Sequence, residues 1–119
     1  MSSPSPFNSA RSLIGWYYNA EIRLQPYEST VTVGTSAVAI GKYANQRSAI
    51  LLGNCGTTAI VVGFSSGVTS SAGIPIAGGG WFSFNWFADN ELVMRDMWAI
   101  SSAGGQTLYV LESVLAPAN

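Results

Sequence analysis

The chain has 119 residues, 9% of them charged and 48% hydrophobic, with 13 Gly, a single Cys and no His. Without imidazole there is no Ser-His-Asp or Cys-His nucleophile system and no His-based metal site. A formal net charge of -1 leaves no basic face of the kind phosphate binding requires, so direct nucleic-acid contact is not expected.

The N-terminal stretch Met1–Arg11 is rich in Ser, Pro and Asn, and Pro4 and Pro6 favour extended backbone over helix. It lacks the basic and apolar regions of a secretory signal. Two readings are open for it: a frayed terminus, or an arm that orders on a neighbouring subunit with Phe7 as its anchor. The length fits one domain, which divides the chain into an arm over residues 1–11 and a folded unit over 12–119.

Strand periodicity begins at once. Trp16, Tyr18, Ala20, Ile22 and Leu24 alternate with Tyr17, Asn19, Glu21 and Arg23, which predicts a strand with one buried face, ended by Pro26. Val31–Val33 and Ala37–Ile40 are short β-branched stretches. Gln46–Gly53 and Thr57–Phe64 flank Asn54-Cys55-Gly56, a loop of hairpin type, and both are apolar enough to predict a central hairpin. Cys55 has no basic neighbour to lower its pKa and is expected to be structural rather than reactive. Ile74-Pro75-Ile76 reads as an edge strand. Gly78-Gly79-Gly80 permits a turn, but no Lys-Ser/Thr follows to make a phosphate cradle. Trp81 to Phe87 is the next strand, with Phe82, Phe84 and Trp86 on one face and Trp81, Ser83, Asn85 and Phe87 on the other. Asp89–Trp98 reads as loop and strand, with a short helical turn capped by Asp89 as the alternative. Met97–Ser101 and Thr107–Ser113 close the chain as a last predicted hairpin. Seven or eight short strands with Gly/Ser turns predict an all-β, single-domain antiparallel β-sandwich, jelly-roll-like, carrying the extended N-terminal arm.

Charge placement carries the functional reading. Residues 48 to 88 contain no Asp, Glu, Lys or Arg. Gly, Ser, Thr and Pro interrupt this stretch too often for a membrane span. Soluble monomers place charges on strand edges to block pairing with other chains, so edges without them are expected to be covered by sister subunits. Phe7, Trp81, Trp86, Phe87 and Trp98 are the candidate interface residues, since aromatics dominate interface energetics. Trp81 and Phe87 have two other readings, covering the sandwich ends or stacking on a carbohydrate. Asp89, Glu91 and Asp96 form the one local carboxylate cluster and match no Ca²⁺ loop. Arg11, Arg23, Lys42, Arg47 and Arg95 are scattered, as surface or intersubunit salt-bridge partners. No catalytic residue, metal or cofactor is expected.

From Arg47 to Glu112 the chain resembles a module of small bacteriophage virion proteins. The carriers are Ile50-Leu51-Leu52-Gly53-Asn54 with Gly56-Thr57-Thr58-Ala59-Ile60-Val61-Val62-Gly63-Phe64, then Val68-Thr69-Ser70-Ser71-Ala72-Gly73-Ile74-Pro75-Ile76. Met97-Trp98-Ala99-Ile100-Ser101 with Ala103-Gly104 and Leu108-Tyr109-Val110-Leu111-Glu112 completes them. The chain departs from the pattern in its aromatic run Trp81 to Phe87 and in Trp98, where a Tyr is commoner. The resemblance implies a non-enzymatic capsid decoration (cement) or minor capsid protein. Such a protein assembles in the host cytoplasm as a symmetric homo-oligomer and binds other virion proteins such as the major capsid protein. The alternative is a tail, baseplate or fibre/spike component that binds a host glycan.

Overall fold

A computed structural model describes residues 22–117; the expected arm over 1–11, its anchor Phe7 and the start of the first predicted strand lie outside them. Eight strands form two antiparallel four-stranded sheets, in the orders β1-β8-β3-β6 and β2-β7-β4-β5. The strands are β1 (Ile22–Val33), β2 (Val38–Ile40), β3 (Arg47–Asn54), β4 (Ile60–Gly63), β5 (Ile74–Ile76), β6 (Trp81–Asn85), β7 (Met97–Ser101) and β8 (Gln106–Pro117). The pairings β1·β8, β2·β7, β3·β6 and β4·β5 are those of one long hairpin with its turn between β4 and β5. The pairs β3·β8 and β4·β7 then roll that hairpin into two sheets. This is the jelly-roll arrangement, and the all-β sandwich expected from periodicity is the fold.

Side-chain alternation sets the layers. Along β8, Gln106, Leu108, Val110, Glu112 and Val114 are buried while Thr107, Tyr109, Leu111 and Ser113 are not. Ile50, Leu52 and Phe84 from one sheet meet Ile60, Val62, Ile76, Met97 and Ala99 from the other, and Val93 closes one end. Val61, on the outer face of β4, is also buried. The 64–73 loop folds back to cover it, and a side chain at Gly73 would strike its Cγ1 at 2.6 Å.

Several sequence expectations change. Pro26 does not end the first strand, because β1 is an edge strand and tolerates a residue without N–H. The two predicted hairpins are arches: β3 and β4 belong to different sheets, as do β7 and β8. Their loops cross the core instead of reversing within a sheet, so their main-chain groups need side-chain partners. Asn54 Nδ2 donates to the carbonyls of Thr58 at 2.9 Å and Ile76 at 2.8 Å, and Asn54 Oδ1 accepts from Gly56 N. Gln106 Oε1 accepts from the N–H groups of Thr57 and Thr58, both at 3.0 Å. Gly78 packs against this arch so closely that a Cβ would lie 2.8 Å from Thr57 O, which accounts for one glycine of the triplet.

The predicted strand Trp81 to Phe87 stops at Asn85. Trp86–Asp89 is an α-helical turn, followed by a 3₁₀ turn over Asn90–Met94. Asn85, not Asp89, caps the α-helical turn: its Oδ1 accepts from Ala88 N at 2.8 Å, while Asp89 Oδ2 accepts from Asn85 N at 2.8 Å. The helical alternative for Asp89–Trp98 is right in kind, as the 3₁₀ turn; Asp89 holds the N-cap position of that turn but makes no side-chain capping bond to it.

Candidate assembly surface

The uncharged stretch acquires a location in this topology. Residues 48 to 88 contain β4, β5, β6 and all but the first residue of β3, and these four strands are the adjacent halves of the two sheets. One lateral half of the sandwich is thus almost free of charge. It ends in two edge strands, β5 and β6, joined by the turn over residues 77–80. Among the described residues, the exposed charged side chains outside β1 are Lys42, Glu91, Arg95 and Asp96, all in the two loops at the opposite end from the Asn54 arch.

Charge is also removed from the surface by burial. Arg47 and Glu112, at 0% and 1% exposure, form a salt bridge of 2.8 Å inside the sandwich. A register shift between Arg47 and Ala49 lets Arg47 and Ser48 both turn inward. Arg47 Nε donates to Val93 O and Nη2 to Arg95 O, each at 2.6 Å. The Glu112 carboxylate also accepts from Lys42 N and Tyr43 N, both at 3.0 Å. The pair therefore ties β3 and β8 to both loops of the charged end. Gly41, at φ +81°, sits where a Cβ would approach Arg47 Nη1 to 2.6 Å. The expectation of Arg47 as a surface or intersubunit partner is overturned, because every donor direction it uses is satisfied within the subunit.

The aromatic candidates do not converge. Trp81, 69% exposed, stands on the outer face of β6. Trp86, half-buried, packs against the core and lines a cavity of about 310 Å³ with Asn45, Glu91, Met94 and Arg95. Trp98, also half-buried, lies on the other sheet in register with Ala39 and Gly63. The main chain of Phe87 is in the helical turn, so it is not a strand neighbour of Trp81; its side chain lies outside the described positions. Trp81 alone of the described candidates projects from the uncharged half. Beside it, Ala49, Leu51, Ser83, Asn85, Leu111 and Ser113 line an outer-face groove of about 330 Å³. Periodicity does not reveal this groove, since it depends on β3 lying between β6 and β8.

Other polar candidates have local tasks. Glu91 and Arg95 form an exposed ion pair at 4.0 Å. Among the described residues no three His, Cys, Asp or Glu side chains group as metal ligands. Cys55 is exposed at the Asn54 arch and does not pack into the core as a structural cysteine would. The Tyr109 hydroxyl donates to Glu28 Oε1 at 2.8 Å; this bond, then desolvation and the carboxylate charge, raises the phenol pKa above its ordinary 10.0. A raised folded-state pKa means the contact contributes fully below the unfolded value and is lost as pH climbs through the folded one. Tyrosinate absorbance is expected to rise at lower pH in Glu28→Gln than in the parent chain, and coincident titrations would remove the contact from solution.

No protein-family model and no curated protein matches the chain. Its fold is similar to that of a chain from the structure of Bacillus endospore appendages, which form a family of disulfide-linked pili. The TM-score is 0.51 with 16% identity, covering 82% of this chain and 89% of that one.

Proposed function

We propose that this chain is a non-enzymatic structural subunit of a bacteriophage virion, holding its place through repeated contacts with its own copies and with other shell proteins. The charge-free lateral half carries this reading. Two edge strands that present main-chain groups without charge invite strand addition, and Trp81 supplies an exposed aromatic anchor beside them. Symmetry multiplies contacts that are individually weak. Few charges suffice for a subunit whose surface is shared with neighbours, and two of them are already committed to the interior as Arg47 and Glu112.

A second reading, a filament subunit, is supported by the fold neighbour that forms pili. The cysteine count shapes it. One cysteine permits one disulfide per chain, hence covalent dimers and no longer covalent series. A filament of this chain would be held by non-covalent contacts.

Sedimentation velocity of the full chain with and without reductant, together with electron microscopy, tests both readings. Oligomers that persist in reductant and bind empty shells are expected for the virion subunit. Long fibres in place of shell binding would favour the filament. A monomer at micromolar concentration that ignores shells would sink the assembly reading altogether.

A further inference from the structure

The assembly reading does not say which edge is used, and the four edge strands differ. β1 carries Arg23, Glu28 and Pro26. β2 has three residues and β5 has three with Pro75 in the middle. β6, Trp81-Phe82-Ser83-Phe84-Asn85, has neither charge nor Pro. Asn54 N donates to Gly80 O at 2.9 Å, continuing the β3·β6 ladder. By antiparallel alternation, Phe82 and Phe84 then turn their main-chain groups toward β3, while Trp81 and Ser83 turn theirs to the open edge. The Asn85 N–H, next in that series, is taken by Asp89 Oδ2, which stops the edge there.

Resting on the assembly reading, we propose that two copies join edge to edge through β6, antiparallel and centred on Ser83. The two β1-β8-β3-β6 sheets become one continuous sheet, and each Trp81 seats in the groove of the other copy. The register is self-complementary, as a two-fold interface requires. Pairing about Ser83 sets Trp81 directly opposite Asn85 of the partner subunit, and Asn85 is in register with Ala49, the small residue on the groove floor. From Trp81 the partner's Asn85 is one strand spacing away and the partner's Ala49 two, roughly 10 Å, so the indole extends across β6 of the other copy toward the groove floor. Charge permits the approach. The two Asp89 carboxylates fall at opposite ends of the paired strands, each against the other copy's uncharged turn over residues 77–80.

Cysteine trapping in the full chain tests this register. In a Cys55→Ser background, Ser83→Cys places two thiols at the two-fold axis, and Thr30→Cys on β1 is the control. Ser83→Cys is expected to oxidise to a covalent dimer that sediments like the reduced dimer of the parent, while Thr30→Cys does not. Trp81→Ala should weaken self-association at least tenfold, as removal of a central aromatic anchor does. Self-association that persists without trapping at position 83, and that Ser83→Arg leaves unchanged, overturns the β6 register while the assembly reading stands. A parent chain that stays monomeric at micromolar concentration overturns both.

Discussion

Glu112→Gln is expected to lose about 3–5 kcal/mol of folding stability, the cost of leaving a buried guanidinium without its counter-charge. Typical domains have about 5–15 kcal/mol in total, so this neutral, nearly isosteric change brings the chain close to unfolding at room temperature. Its size follows from what the carboxylate holds: Arg47 Nη1 at 2.8 Å and the N–H groups of Lys42 and Tyr43. The amide keeps one acceptor oxygen and brings an N–H₂ group against donors that need acceptors. Arg47→Met/Glu112→Leu should cost less than Glu112→Gln alone, because it leaves no isolated charge inside. Urea unfolding followed by tryptophan fluorescence measures both. A loss below about 1 kcal/mol in Glu112→Gln would mean that the pair is hydrated in solution.

The interior position of this pair was partly legible in the sequence. Leu108, Val110 and Val114 share one parity of β8, and Glu112 lies on the same parity. A carboxylate on the apolar face of a strand needs a partner inside, and that signal was available. Its partner was not. Arg47 reaches Glu112 only because a bulge turns it inward, and nothing in the spacing of Gln46–Gly53 announces a bulge.

The strands themselves were legible because side-chain pattern is a local property: β3, β5 and β7 appear at or within one residue of their predicted bounds, while β4 is half the predicted length and β8 runs four residues further, to Pro117. Pairing is not local. The β3–β4 and β7–β8 loops have the Gly-rich brevity of hairpin turns, yet each crosses to the other sheet. Sheets stacked face to face lie about 10 Å apart, a gap that a short loop bridges as readily as it reverses within one sheet. What separates the cases is how the loop backbone is satisfied. A hairpin pairs its own flanking groups, whereas these arches rely on the buried amides of Asn54 and Gln106. The Asn-x-Gly-Thr stretch behind the resemblance to virion proteins has this task, with Asn54 and Gly56 shaping the arch and Gln106 receiving the N–H of Thr57. It reports on folding, and the functional reading therefore rests on the distribution of charge.

Phe84→Ala is expected to separate the fold from the edge it supports. Phe84, 5% exposed, is in register with Ile50 and packs against Phe82 at 4.9 Å and Phe64 at 5.7 Å between ring centroids. Truncating a buried Phe costs about 3–5 kcal/mol, made up of lost transfer energy and the cavity left behind. Here the loss falls on an edge strand that, among the described residues, is hydrogen-bonded to β3 alone. Native-state hydrogen exchange should therefore show the β6 amides at positions 82 and 84 losing protection before those of β3 and β8, through opening of part of the molecule. Self-association should weaken by more than global stability alone dictates, measured at a urea concentration where the variant is still folded. If β6 and β8 lose protection together, the sheet opens as one unit and the edge is not independently labile. Phe84→Leu, which keeps most of the volume, should recover both stability and association, because β6 needs a filled core beneath it and no particular chemistry from the ring.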